Sequence, residues 1–453
     1  MKKILVRLLL SLLCLTMLIP AYVSCKDNGD ENQQPPVEMM TIIGGENQYV
    51  VVRPEKLTDE FQKAAAVAVN NALKAATGVN YKMTTDYKTN PVSDYEICIG
   101  NVSRNGEYYN VDTSTLADDE FIVKVEGTRI VIVGKTEYGT QMAAQWFIDT
   151  YLNVEAGSLS FLEIPKELNH VGKIVTGNLI TVMTQNLLSG SAGKDYQNAD
   201  YITVDYKQHT LEKRFPRFIK LLKQYQPDIV GLQECCAEWR SMMAGGALES
   251  AGYARVGATK HQKVSVLYNT NKLKLIETNS IWLSEDPENL SLTKEWGNPE
   301  TEFLVERLAM YCVFEVIETG ERFIHFNTHI EIPSNSIIQT KQTEVLVSYV
   351  DEIRAKFDNI PAVVTGDFNY NYKSEPFKVL LSTCLKNTKT ESTFSSGAGS
   401  FNKFIGKTHH AEAIDQILAT DNFDFRRYRV LYDTFDGNYV SDHYAVLAEL
   451  AFK

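Results

Sequence analysis

Six short phrases beyond residue 180 of this 453-residue chain carry side chains that can do acid–base or metal chemistry. They are Thr184-Gln185-Asn186, Leu232-Gln233-Glu234, Asn327-Thr328-His329, Gly366-Asp367-Phe368-Asn369, Ile414-Asp415-Gln416-Ile417 and Ser441-Asp442-His443. Singly, each has a bland reading. Ser-Asp-His is usually a turn with a solvated carboxylate, Glu234 a strand-end charge and Asn369 a turn former. All of them together, in this order and each at the boundary of an apolar run, describe a site instead. Carboxylates, carboxamides and imidazoles are the groups that move protons. Oxygen donors such as Glu234 and Asn186 also suit a hard cation, Mg2+ with Mn2+ able to replace it, which binds through few carboxylates and keeps several waters. No cluster of cysteine or histidine points to zinc.

The elements that must position these groups are legible as apolar runs. Ile180–Thr184 ends at Asn186, Asp228–Leu232 at Glu234, Phe323–Phe326 at His329 and Ala362–Thr365 at Asp367. Ile414–Ala419 begins beside Asp415 and Tyr444–Leu450 beside His443. Between them Phe215–Tyr225 and Gln339–Phe357 read as amphipathic helices, the second with Leu346, Tyr349, Val350, Ile353 and Phe357 on one stripe. Strands with polar ends make a rigid floor with a reactive rim. This unit is assigned to residues 179–453.

A smaller unit precedes it, over residues 40–152. It reads strand, helix, strand, hairpin, helix. Thr58 is placed to cap a helix through Phe61–Ala76 that stops at Gly78. Phe121–Val125 and Arg129–Val133 alternate around Glu126-Gly127-Thr128 as a hairpin, and a helix follows over Tyr138–Leu152. Residues 153–178 are left as a linker. No acid/base or metal cluster emerges in the smaller unit, so its expected role is accessory.

Residues 179–453, through the six phrases, resemble the endonuclease/exonuclease/phosphatase superfamily, and Trp282-Leu283-Ser284-Glu285-Asp286-Pro287 with the later Trp296 look like a bacterial branch of it. Tyr95-Glu96-Ile97-Cys98-Ile99-Gly100 and Ile130-Val131-Ile132-Val133-Gly134 resemble the small α/β domain that precedes the catalytic barrel of β-hexosaminidases and α-glucuronidases. The resemblance implies an α/β fold: a four-layer α-β-β-α sandwich preceded by a small βαββα-type accessory domain. It also implies metal-dependent hydrolysis of phosphoesters. On it, Glu234 is the principal metal ligand, Asn186 assists it and binds phosphate, and Asp442 contacts a metal. Asp367 orients or deprotonates the attacking water and Asn369 binds the phosphate. His443, paired with Asp415, stabilises the transition state or acts as base; the division of labour between Asp367 and His443 stays open. His329 binds a phosphate oxygen. Arg307 in Glu306-Arg307-Leu308-Ala309 is either a phosphate clamp or one half of a surface ion pair with a neighbouring Glu. One position departs from the family: Gln262 stands where relatives commonly carry a Glu that supports the histidine matching His329. A neutral amide there leaves His329 expected to titrate near its free value of about 6.5.

Composition bounds the rest. Hydrophobic residues are 44% and charged residues 23%, a globular balance that excludes wholesale disorder and fibrous repeats. Against 57 acidic residues stand 45 basic ones, a net charge of −12, so a stable complex with long nucleic acid is not expected. The chain opens with Lys2, Lys3 and Arg7, an apolar run from Leu8 to Ile19, and Ala21-Tyr22-Val23-Ser24-Cys25, which resembles a bacterial lipobox. Residues 1–24 are thus expected to be a signal peptide, with Cys25 lipidated and residues 25–39 a polar tether. An acidic patch after the cysteine resembles the surface-export signal of some Gram-negative lipoproteins, which implies an outer-membrane lipoprotein facing outward or, alternatively, the periplasm. Without Cys14 and Cys25 five cysteines remain, and Cys98 and Cys312 read as core packing. The expected protein is a monomer that hydrolyses extracellular phosphoesters. The alternatives are a secreted nuclease of the same family and a non-catalytic surface binding protein on the same scaffold. Since every candidate site residue follows Leu179, a piece from Lys173 to Lys453 is expected to keep the chemistry.

Overall fold

The computed structural model describes residues 37–55, 61–104, 107–108, 112–174, 179–190, 206–289, 306–332, 336–406, 408 and 410–453. The leader, Cys25, most of the tether, Thr58 and Trp296 lie outside them. Among the described residues no helix is long and apolar enough to cross a membrane.

Two sheets face each other from residue 179 onward. The first runs, in spatial order, Tyr253–Gly257, Ser265–Asn269, Ile229–Gln233, Leu179–Asn186, Ala445–Phe452, Phe423–Leu431 and Phe394–Ser396. The second runs Leu273–Trp282, Leu308–Val316, Arg322–His329, Ala362–Asp367, Asp415–Thr420 and Leu385–Asn387. Strand side chains alternate between faces, and that period sorts the apolar residues into layers. Val182, Val363, Met310, Cys312 and Val446 turn inward and form the core between the sheets. Their sequence neighbours Met183, Val364, Ala309, Tyr311 and Leu447 turn outward to meet helices. The helix Leu211–Tyr225 covers the first sheet with Phe215, Phe218, Leu221 and Leu222. The helix Ser336–Lys356 covers the second with Leu346, Tyr349, Val350 and Ile353. The result is the α-β-β-α sandwich expected from the sequence.

Directly beneath the strand ends the two sheets are joined by polar groups rather than by apolar packing. Gln233 Nε2 donates to Asn327 Oδ1 at 2.8 Å and Thr365 Oγ1 to the same oxygen at 3.1 Å. Asn327 Nδ2 in turn donates to the carbonyls of Leu232 and Ser265, on the opposite sheet, at 3.0 and 2.9 Å. This close approach requires Gly231, where an added Cβ would sit 2.1 Å from Thr365 Oγ1. A satisfied buried network of this kind fixes one relative placement of the sheets, whereas apolar packing tolerates sliding.

The N-terminal region has its own six-stranded sheet, with helices Phe61–Thr77 and Glu137–Phe147 packed together on it around Ala65, Val69, Ile97, Ile132 and Ala144. The hairpin register pairs Val125 with Ile130 and Glu126 with Arg129. The linker expected over 153–178 is corrected by two strands within it. Leu162–Pro165 pairs with Met39–Ile43, and Asn169–Lys173 pairs with Glu120–Glu126 along the sheet edge. Both are short, lie at sheet edges and bury few side chains, so they lack the apolar run that marks an inner strand.

Candidate active site

The site forms where strand ends from both sheets converge. Parallel pairing sets Asn186 beside Gln233 and His329 beside Asp367, and antiparallel pairing sets Asp367 opposite Asp415. A cavity of about 430 Å3 opens there, lined among others by Glu234, Arg307, His329, Asp367, Asn369, Asp442 and His443. Three of its lining residues that are not glycine hold left-handed backbone: Leu188 at φ 54°, Glu234 at 55° and Asn369 at 54°. Such conformations cost of order 1–2 kcal/mol each and persist where the surroundings over-determine them, commonly at functional sites. The loop carrying Leu188 is pinned by the buried Arg214, which donates to the carbonyls of Leu187 and Leu188 and, at 2.9 Å, of His209.

A relay of buried charges crosses the floor. Asp415 Oδ2 accepts from His443 Nδ1 at 2.8 Å, and His443 Nε2 lies 3.8 Å from Asp367 Oδ2. Burial disfavours a charged imidazole, but Asp415 and Asp367 together overcome it and hold His443 well above its ordinary value. Asp367 is pushed up to about 7, first by burial and then by the Asp415 charge. Its oxygens are held by the Asn369 backbone N–H at 2.9 Å and by Asn186 Nδ2 at 2.9 Å. One donor atom each of Asp367, Asp415 and His443 lie within 4.8 Å of one another, a spacing that also suits a metal. In this arrangement His443 and Asp415 meet in a hydrogen bond instead.

Glu234 stands across the cavity. Its carboxylate accepts from Ser189 N–H at 2.8 Å and from Asn186 Nδ2 at 3.1 Å. Asn186 therefore presents its amide nitrogen to the two carboxylates, and its oxygen, the atom a cation would take, accepts from the Leu188 N–H at 2.9 Å. Glu234 and Asp442 remain as carboxylates facing the cavity. This oxygen donor set, aimed inward from strained backbone at Glu234, fits a hard dication that takes few protein ligands. Such an ion would supply positive charge for a bound anion.

The remaining candidates sort by their partners. Asn369 Nδ2 donates to the Ile330 carbonyl at 2.9 Å and meets His329 Nε2 at 3.2 Å. Arg307 is not in a surface ion pair. It is buried and pairs with Glu331 at 3.2 Å, while its sequence neighbour Glu306 faces His261 at 3.6 Å. Arg307 Nε is buried without a partner, a donor that an anion could satisfy. The expectation for His329 is corrected. Burial first, and then Arg307, His443 and Lys263, hold it well below 6.5, so the ring is neutral at pH 7 and takes the Asn369 amide on Nε2. Gln262 has no part in this. Its side-chain oxygen faces Arg255 at 3.4 Å, and it is the next residue, Lys263, that lines the cavity.

Sequence reasoning missed the segment that holds the relay from behind. Ser400 Oγ donates to Asp415 Oδ2 at 2.5 Å and accepts from the Ile414 and Asp415 N–H groups at 3.1 and 3.2 Å. The ring of Phe401 lies 4.8 Å from that of His443. The one signal in the sequence was Gly397-Ala398-Gly399 just ahead of Ser400, a glycine pair that marks a close backbone approach.

Residues 183–443 match the model of the Endonuclease/Exonuclease/phosphatase family. The chain belongs to that family. Among solved structures it is similar to an endonuclease/exonuclease/phosphatase family protein from Bacteroides thetaiotaomicron, at 23% identity and a TM-score of 0.51, covering 61% of this chain and 98% of that one. A family protein from Bacteroides vulgatus shows 20% identity and a TM-score of 0.50, covering 61% and 99%. A mannosyl-6-phosphatase of Bacteroides thetaiotaomicron shows 23% identity and a TM-score of 0.49, covering 60% and 100%. At these identities the likeness concerns the fold. No curated protein matches the chain. The family match ends at His443, so all six phrases fall within it or at its edge, and the N-terminal region lies outside it.

Proposed function

We propose that this family member is a divalent-metal-dependent phosphoester hydrolase acting on extracellular substrates at the cell surface. The observation that carries the reading is the Asp415–His443–Asp367 relay facing Glu234 and Asp442 across one cavity. Phosphoester cleavage needs a proton acceptor for the attacking water and charge stabilisation around the phosphate. Asp367, pushed up to about 7, is suited to orient the water and take its proton near neutrality. His443, kept protonated by its two carboxylates, is suited to donate to the developing negative charge. Of the two assignments left open by the sequence, these charge states favour Asp367 as base. The buried Arg307 guanidinium and the neutral His329 ring belong to the same lining, where they would contact a bound phosphate. Glu234 and Asp442 would hold Mg2+ or Mn2+.

The purified protein is expected to hydrolyse p-nitrophenyl phosphate or bis-p-nitrophenyl phosphate with Mg2+, to lose that activity to a chelator and to regain it with metal. The relative rates on the two esters, DNA, RNA and sphingomyelin assign mono- or diesterase character. Hydrolysis of none of them, with or without metal, sinks the enzyme reading in favour of a surface binding protein. The address rests on the leader and Cys25. Labelled fatty acid is expected on the wild-type protein and not on Cys25→Ser; equal label on both contradicts the anchor.

A further inference from the structure

Among the described residues, none from the N-terminal region lines the cavity. The catalytic sandwich nevertheless reaches into it. Phe394, on the outermost strand of the seven-stranded sheet, is 1% exposed and belongs to the hydrophobic core of the N-terminal region, where that strand packs on the helix Phe61–Thr77. A second contact lies nearby. Tyr138 Oη donates to Glu449 Oε2 at 3.2 Å, Glu449 pairs with Arg427 at 3.1 Å, and the Arg427 guanidinium stacks 3.7 Å above the Tyr138 ring. The expectation that residues 173–453 form an independent enzyme therefore meets a shared core.

Phe394 leads directly into the segment that holds the relay. The strand Phe394–Ser396 pairs with Arg427–Arg429, then turns through Gly397 at φ +91° and Gly399. A Cβ at Gly397 would meet Val430 at 2.7 Å, and one at Gly399 would meet the His410 carbonyl at 1.9 Å. The path has little room to shift. Six residues after Phe394 comes Ser400, on Asp415 Oδ2. The same stretch clasps the other side of the relay through its backbone. Tyr444 N–H donates to the Ser400 carbonyl at 2.6 Å, and Asn402 N–H donates to the Asp442 carbonyl at 2.7 Å. Phe401 bridges to His443 itself.

We propose that the N-terminal region is a brace for the active site: by burying Phe394 it anchors the Phe394–Asn402 segment, through which Ser400 acts as a positioning residue for the Asp415–His443 pair. An oxygen that accepts from both Ser400 and His443 has its direction fixed by two donors, and the imidazole plane follows from it. Losing the anchor at Phe394 loosens the segment that aims both. A misplacement on the order of 1 Å is enough to lower turnover, because the aligned imidazole matters most in the transition state.

The test uses the full-length protein, and only its kinetic arm rests on the hydrolase reading. The second arm is the low-field proton resonance of His443 Nδ1–H, read without substrate and identified by its loss in His443→Gln. Ser400→Ala is expected to lower kcat about tenfold with KM unchanged and to shift or broaden that resonance. Ser400→Thr keeps the hydroxyl and restores both. Phe394→Ala is expected to change kcat and the resonance in the same direction, and Phe394→Leu, which keeps most of the bulk, to change them less. Should Phe394→Ala fail to fold, Phe394→Leu carries the comparison. A Phe394 variant that melts at lower temperature yet keeps the wild-type kcat and resonance overturns the brace. A wild-type resonance in Ser400→Ala overturns the positioning role. If the wild-type protein hydrolyses no phosphoester, the proposed function fails, while the resonance still decides whether Phe394 and Ser400 hold the pair.

Discussion

Asp415→Asn is expected to lower kcat by about 10³- to 10⁴-fold with KM nearly unchanged, the magnitude seen when the carboxylate behind a catalytic histidine is neutralised. The change is nearly isosteric. Asp415 Oδ2 accepts from Ser400 and His443, and its Oδ1 is buried without a partner. An asparagine can keep its oxygen toward the two donors and put its amide on the other side, so folding survives. What disappears is the negative charge. His443 is raised against its burial first by Asp415, so without that charge its value falls toward the ordinary imidazole range. Asp367 is pushed up partly by the same charge, so its value falls too. If activity needs protonated His443, the alkaline limb of the pH–rate profile moves to lower pH; if it needs ionised Asp367, the acid limb moves the same way. Steady-state kinetics across pH 5 to 10 reads both. A variant with the wild-type kcat and both limbs in place removes Asp415 from the mechanism.

Glu234→Gln is expected to weaken Mg2+ binding by on the order of 10²-fold or more, since a hard dication distinguishes a full negative charge from an amide dipole. The fold should tolerate it. The side chain keeps its shape, and one of the two donors it now satisfies, Ser189 N–H or Asn186 Nδ2, loses an acceptor, at a cost of about 1 kcal/mol. Calorimetric titration with Mg2+ reads the binding apart from turnover, and a melting curve reads the fold. Unchanged Mg2+ affinity would take Glu234 out of the metal site and direct attention to Asp367, Asp415 and His443 as the competing donor set.

Legibility in the sequence followed the range of the interactions. Strand positions were plain wherever an inner strand is apolar on both faces, as at Ala362–Asp367 and Ile229–Gln233. The strands Leu162–Pro165 and Asn169–Lys173 were not, because an edge strand buries one face at most and needs no apolar run. His329 was readable as a site residue but not in its charge state. That state depends on Arg307, Lys263 and His443, which come to it from other strands and loops. Gln262 was credited with influence by its place relative to the family pattern, yet in the turn before Ser265–Asn269 its side chain lies against Arg255, and Lys263 faces the cavity instead.

By itself the sequence determined the run of the inner strands and the set of strand ends that bear carboxylate, amide and imidazole, the four-layer sandwich being implied only by the family resemblance. Both arise from local periodicity, in which side-chain direction repeats every two residues along a strand. Only the tertiary structure decided which carboxylate meets which ring, that Asn186 turns its nitrogen rather than its oxygen to the acids, and that Ser400 completes the relay. The same holds for the entry of Phe394 into the N-terminal core. These are contacts between residues far apart in the chain, set by sheet register and by the Asn327–Gln233 junction between the layers. No pattern of nearby residues encodes them, because each depends on where a second, distant strand comes to lie.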